Sequence, residues 1–131
     1  MTTIFSRIIA GEIPGTFVYR DERCVAFMSI NPLARGHVLV VPIEEIDHWI
    51  DASPELLEHL FDVVHRIGRA QKQAFDCARI GVIIAGYEVP HAHIHVIPTD
   101  HMGQLSFENA AASVDRHDVE AAADAIRTAL D

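Results

Sequence analysis

Pro90-His91-Ala92-His93-Ile94-His95-Val96-Ile97-Pro98 alternates imidazole with small or aliphatic side chains from His91 to Val96. Successive side chains of an extended strand point to opposite faces. The pattern predicts a strand over 91–97, ended by Pro98, with His91, His93 and His95 on one face. Ala92, Ile94 and Val96 then pack on a core. At ~3.3 Å per residue the outer two α-carbons of the row lie roughly 13 Å apart.

Two chemistries fit such a row. A pair such as His91 and His93 can ligate a metal, with His37 or a carboxylate completing the shell. Nitrogen–zinc bonds of ~2.0–2.1 Å make it hard for three imidazoles on one straight strand to share an ion. Alternatively, one imidazole attacks phosphorus while its neighbours fix its tautomer and bind phosphoryl oxygens. An unperturbed imidazole, with a pKa of ~6.5, is mostly neutral and nucleophilic at neutral pH. Spacing alone leaves both readings open.

Outward from this segment, the chain reads as one α+β domain over 1–131, with a core over 4–98 and a tail and helix over 99–131. Ile4, Phe5, Ile8 and Ile9 fit a short amphipathic helix stopped by Gly11 and Pro14. Phe17–Tyr19 and Cys24–Met28 read as strands joined by the polar turn Arg20-Asp21-Glu22-Arg23. His37–Val41 is an apolar strand stopped by Pro42. Ser53-Pro54-Glu55 is a helix start, and Leu56, Leu57, Leu60, Val63, Val64, Ile67, Ala70 and Ala74 continue at helical spacing to about Phe75. Arg79–Ala85 reads as a further strand, and Val119, Ala123, Ile126 and Leu130 as a C-terminal amphipathic helix. The expected architecture is a five-stranded, mainly antiparallel sheet with one long helix and shorter terminal helices.

The chain has 19 acidic and 10 basic residues, a formal charge of −9. Polymeric nucleic acid and anionic membranes are held mainly by Lys and Arg, so both are excluded as expected partners. A single phosphate ester remains possible where backbone N–H groups and histidines bind it. No apolar run approaches the roughly 20 residues that span a bilayer. The N-terminal MTTIFSRIIAGEIPG lacks the charge and apolar stretch of a signal peptide. A cytoplasmic protein with two buried thiols, Cys24 and Cys77, is the expectation. His48, His59, His65, His101 and His117 are expected at the solvated surface, and Trp49 as an anchor of a loop or subunit contact.

PHAHIHVIP also resembles the signature of the histidine triad (HIT) family, His-φ-His-φ-His-φ-φ with φ apolar. IFSRIIAGEIPG is similar to that family's N-terminal helix and turn, VYRDERCVAFMSINP to its first hairpin, and ARGHVLVVP to the segment supplying a fourth histidine. The resemblance implies nucleotide phosphoramidate or phosphoanhydride hydrolysis, or nucleotidyl transfer, through a nucleotidyl-histidine. His93 corresponds to the nucleophile, oriented by the carbonyl of His91. His95 is implied to contact phosphoryl oxygens, with His91 and His37 as the supporting imidazoles. The turn Gly86-Tyr87-Glu88-Val89 faces the phosphate on this reading, with N–H groups around Glu88 and Val89 stabilising developing charge. Phe5, Ile8, Phe27, Met28, Ile30 and Leu39 are the expected lining of the base pocket. The implied ligand is a nucleoside monophosphate derivative, with a purine as the expected base. The implied assembly is a homodimer, and no metal or cofactor is implied.

Four departures from the family pattern bear on ligand contacts. Ser29 replaces the acid that grips the ribose, losing its charge-assisted two-oxygen contact. Glu88 stands where the family has a hydroxyl: its carboxylate repels phosphate if it points inward, the alternatives being that it points away or acts as a proton relay. The ribose-contacting Asn has no counterpart in RIGVIIAG. TIFSRII also lacks the cysteines that bind zinc in some members. These departures support an alternative of another class, a nucleotide-binding or scaffolding protein with incidental turnover.

Overall fold

The computed structural model describes residues 2–130; the chain ends Met1 and Asp131, included in the single-domain reading, lie outside the described residues. Five strands, β1 (Phe17–Arg20), β2 (Cys24–Met28), β3 (Val38–Pro42), β4 (Arg79–Ile83) and β5 (Ile94–Thr99), form one sheet in the order β1-β2-β3-β5-β4. Every neighbouring pair is antiparallel. Three helices complete the fold: α1 (Ile4–Ile9), α2 (Pro54–Ala74) and α3 (Arg116–Ala129).

Strand alternation divides the core in two. Cys24, Ala26 and Met28 of β2, Val38 and Val40 of β3, and Ile94 and Val96 of β5 form one cluster beneath α2 and α3. Leu56, Leu60, Val63, Val64, Ile67 and Ala70 supply the buried stripe of α2, while Ala122, Ala123 and Ile126 supply that of α3. A fully buried Leu, Ile or Val contributes about 1.5–3 kcal/mol, so this stripe holds the long helix in place. The opposite face carries Val25, Phe27, Leu39 and Val41, closed by Phe5 from α1. Register aligns Phe17, Phe27, Leu39, His95 and Ile83 as one row across the sheet. His95 therefore continues an apolar row, with Ile83 of β4 beyond it.

Caps fix the helix starts. Thr3 Oγ1 accepts from the Ser6 N–H at 3.1 Å, and Ser53 Oγ from the Leu56 N–H at 3.1 Å. The Asp115 side chain caps α3 by accepting from the His117 N–H. Each oxygen satisfies a donor that the first helical turn leaves without a partner.

Several boundaries differ from the sequence reading. β5 begins at Ile94, so His91 and His93 precede the strand. The reason lies in their backbone bonds: the His91 carbonyl accepts from the His93 ring, and the Ala92 N–H donates to Ile46 O. β3 begins at Val38 rather than His37, and β4 ends at Ile83 rather than Ala85. The tail folds into two 3-10 turns, Met102–Leu105 and Phe107–Asn109. Cys24 and Cys77 are both free and buried. No helix among the described residues is long and apolar enough to cross a membrane.

Candidate active site

His91, His93, His95 and His37 are 0%, 2%, 6% and 1% exposed. Buried imidazoles require partners on their ring nitrogens, and those partners determine the tautomers. The Pro42 carbonyl, 2.8 Å away, accepts from His91 Nε2, leaving Nδ1 to accept from the Thr3 hydroxyl at 2.7 Å. The His91 carbonyl accepts from His93 Nδ1 at 2.7 Å. His93 Nε2 consequently carries the free lone pair.

A second chain of bonds sets His95. The Leu33 N–H donates to His37 Nδ1 at 3.0 Å, so neutral His37 donates from Nε2 to His95 Nδ1 at 2.9 Å. The His95 proton then resides on Nε2, which is buried and has no hydrogen-bond partner. An unpaired buried donor costs about 1–3 kcal/mol. Next to a lone-pair nitrogen it is a donor available to a ligand oxygen.

Electrostatics keep the supporting rings neutral. Burial, reinforced by the charges of His95 and His93, lowers the His37 pKa to about 3. Burial and the His93 charge bring His95 down to about 4 against the opposing pull of Glu88. His91 is lowered chiefly by burial, with the Pro42 carbonyl and Glu45 opposing.

Glu88 points inward. Its Oε2 is 3.2 Å from His93 Nε2 and its Oε1 3.9 Å from His95 Nε2. The rings of His93 and His95 are 4.9 Å apart, and Phe5 approaches His93 edge-on at 5.0 Å. Phe107, from the tail, stands 4.9 Å from the His95 ring. An open cleft beside His93 is lined by His48, Trp49, Ile84, Gly86 and Tyr87.

The other expected site residues divide by face. Phe5, Phe27 and Leu39 are buried together on the triad's side, with Ile8 and Val89 partly buried against them. Met28 is corrected: it packs beneath the helices on the opposite face, because its parity along β2 is that of Cys24 and Ala26. Ile30 is 75% and Tyr87 96% exposed, so neither side chain forms an enclosed wall. Ser29 Oγ accepts from the Asn31 N–H at 3.2 Å. Gly86 turns the loop with φ +90, a left-handed conformation that favours glycine.

His59 is also corrected. It is half-buried and bonds Asp21 Oδ2 at 2.6 Å, joining α2 to the first hairpin. Burial opposes ionisation of Asp21, but Tyr19, the Arg23 and Cys24 N–H groups and His59 outweigh it and hold the carboxyl well below its usual range. Sequence reasoning missed Thr3, Phe107 and Gln71. The last lies on the apolar stripe of α2, where a polar residue at that spacing is the available signal. Thr3 and Phe107 sit outside any periodic pattern.

Two groups of side chains have metal-ligand spacing. Donor atoms of Glu88, His93 and His95 lie within 4.8 Å of one another, as do those of Asp21, Cys24 and His59. Ligand nitrogens and sulfurs must be deprotonated. His95 Nε2 carries the proton that His37 dictates, so ligation requires reversing both tautomers and losing the Leu33 bond. Burial and Asp21 raise the Cys24 thiol to about 12, which disfavours a thiolate. Neither set is matched to a metal as it stands.

An antiparallel α+β sheet that brings three alternating histidines together with a fourth defines a histidine triad protein. The HIT domain family matches residues 10–102, and the chain belongs to that family. It is 37% identical over 100 residues to Protein hit of Bacillus subtilis, covering 72% of this chain and 69% of that one. An uncharacterized HIT-like protein of Methanocaldococcus jannaschii is 41% identical over 100 residues, covering 72% and 77%. Among solved structures, a Hit-like protein from Bartonella henselae superposes with a TM-score of 0.87 at 34% identity, covering 98% of this chain and 96% of that one. A Zn-bound histidine triad family protein from Mycobacterium smegmatis gives 0.83 at 28% identity, with 98% and 93% covered.

Proposed function

We propose that this protein hydrolyses nucleotide phosphoramidates or phosphoanhydrides, or transfers their nucleotidyl group, through a covalent nucleotidyl-His93. The observation that carries this reading is the 2.7 Å bond from His93 Nδ1 to the His91 carbonyl, which places the lone pair of the neutral ring on Nε2. A structure from Sulfolobus tokodaii described as a hypothetical histidine triad nucleotide-binding protein, 28% identical with a TM-score of 0.84, supports the ligand class.

His93 Nε2 attacks the α-phosphorus, and the bond to the leaving group breaks. The positive charge on the substituted ring is stabilised by the His91 carbonyl through Nδ1–H. His95 Nε2–H, without a partner in the free site, donates to a phosphoryl oxygen as charge develops there. Water then attacks phosphorus, the P–Nε2 bond breaks, and the nucleoside monophosphate departs. Phe5, Ile8, Phe27 and Leu39 form the base side of the site, with Ser29 at the ribose. The site needs no metal or cofactor on this reading.

The same reading takes the chain as a cytoplasmic homodimer. Its supports are the two free thiols and edge strand β4, where Val82 is 44% exposed. Rapid quenching with intact-mass measurement after mixing with an adenosine 5′-phosphoramidate tests the chemistry. A transient nucleoside monophosphate adduct, absent in His93→Ala, is expected, with a rate loss of at least ~10³-fold. Retention of nucleotide without adduct or turnover in the wild type would leave a binding or scaffolding protein instead.

A further inference from the structure

Thr3 stands at the junction between α1 and the triad. Its main-chain N–H donates to Glu45 Oε1 at 2.8 Å, and its Oγ1 accepts from the Ser6 N–H at 3.1 Å. The hydroxyl has one proton left to give. His91 Nδ1 lies 2.7 Å away, whereas Ser6 Oγ at 3.3 Å is beyond the usual O–H···O range. His91 Nε2 carries its own hydrogen, because the Pro42 carbonyl can only accept. Nδ1 of the neutral ring is therefore an acceptor, and Thr3 supplies the donor.

The effect reaches His93 through one peptide group. The carbonyl of the 91–92 peptide accepts from His93 Nδ1 at 2.7 Å, and its N–H donates to Ile46 O at 2.6 Å. A bonded N–H polarises the carbonyl of the same peptide and strengthens it as an acceptor. Pro42 and Ile46 thus hold this unit from the end of β3 and the connection after it, and Glu45 of that connection holds Thr3. Among the described residues, only Thr3 bonds the remaining nitrogen of the His91 ring. That ring is 0% exposed, so without the hydroxyl a buried acceptor has no partner. The ring and its peptide are then free to turn from the orientation that serves His93.

We infer that Thr3 is a positioning residue of the triad, whose hydroxyl fixes the His91 ring and, through the 91–92 peptide, the tautomer of the neutral His93 ring. Its weight in turnover rests on nucleophilic His93, whereas its hold on the two rings does not. Thr3 also caps α1, the helix that carries Phe5 to the site. The two roles separate by substitution. Asp caps a helix as well as Thr does. A carboxylate only accepts, however, so it leaves His91 Nδ1 without a donor unless the ring takes up a second proton. Thr3→Val removes cap and donor together, and Thr3→Ser keeps both.

The test pairs long-range proton–nitrogen correlation spectra of the histidine rings, recorded at alkaline pH, with steady-state kinetics on an adenosine 5′-phosphoramidate. In the wild type, His91 should show a protonated Nε2 and a hydrogen-bonded, unprotonated Nδ1. In Thr3→Asp and Thr3→Val that Nδ1 signal should move, and His93 should lose its single tautomer. For Thr3→Asp, kcat should fall about 10-fold or more with KM held, within the cost of a misplaced catalytic group. Thr3→Ser should restore both the spectrum and kcat. Circular dichroism melting reports folding, and if Thr3→Val fails to fold, the Asp and Ser variants carry the comparison. Wild-type ring signals in Thr3→Asp would leave Thr3 a helix cap alone and overturn the inference. Displaced ring signals with wild-type kcat would overturn its part in turnover. A wild type that forms no nucleotidyl adduct, while the ring signals respond as expected, contradicts nucleophilic His93 and still supports the hold of Thr3 on the rings.

Discussion

Tautomer control passes through single hydrogen bonds in this site. Leu33 N–H fixes His37, His37 fixes His95, and His95 is left with a proton on its buried, unpartnered Nε2. His37→Phe removes both links, stranding the Leu33 N–H and freeing the His95 ring to exchange tautomers. A loss of about 1–3 kcal/mol in urea unfolding is expected, with kcat reduced about 10-fold or more at unchanged pH. Wild-type kcat in a folded variant would show that the proton on His95 Nε2 is irrelevant to turnover. The family resemblance marked His37 as supporting, but no pattern in the chain reveals its bond to a ring 58 residues away. Glu88 was legible as a departure; only the fold shows that its carboxylate turns inward.

At the level of elements, α2 positions the site through Gln71. Its Nε2 donates to the carbonyls of Gly36 and Val96, each at 2.9 Å, next to His37 and His95 respectively. Gln71→Leu loses both bonds at a fully buried position, an expected cost of about 1–3 kcal/mol. Equilibrium unfolding together with kcat checks this: stability and turnover should fall together, and unchanged values for both would remove Gln71 from the account. The long helix was readable because a hydroxyl cap, an N1 proline and a continuous apolar stripe agree on one period. β2 was readable for the same reason, with Cys24–Met28 bounded by polar turn residues. β5 was misjudged at its start because perfect alternation predicts a strand whatever the backbone bonds do. His91 gives its carbonyl to a side chain, and that use leaves no trace in hydropathy. The tail was opaque because short 3-10 turns have no long period, so Phe107 carried no signal.

For the whole molecule, one sheet separates a helix-packed core from a face lined by buried imidazoles. That arrangement makes the fold sensitive to acid. His37 and His95 have folded pKa values of about 3 and 4, below the ~6.5 of an exposed imidazole. The unfolded chain therefore binds more protons between these limits, and stability must fall as pH drops from about 6.5 towards 4. Each ring contributes a slope of up to about 1.4 kcal/mol per pH unit within that window. Asp21, held below the usual carboxylate range, adds a further loss once pH falls below about 4. Urea midpoints from pH 8 to 4 should decline below 6.5, whereas a flat profile would mean that the rings are protonated without penalty. The same neutral rings make a two-step displacement at phosphorus feasible, and its stereochemistry is the most direct measurement of that claim. An adenosine phosphoramidate made chiral at phosphorus with sulfur, hydrolysed in oxygen-18 water, should give product with retained configuration, since two inversions cancel. Net inversion would mean that water attacks phosphorus directly and that His93 never bonds to it.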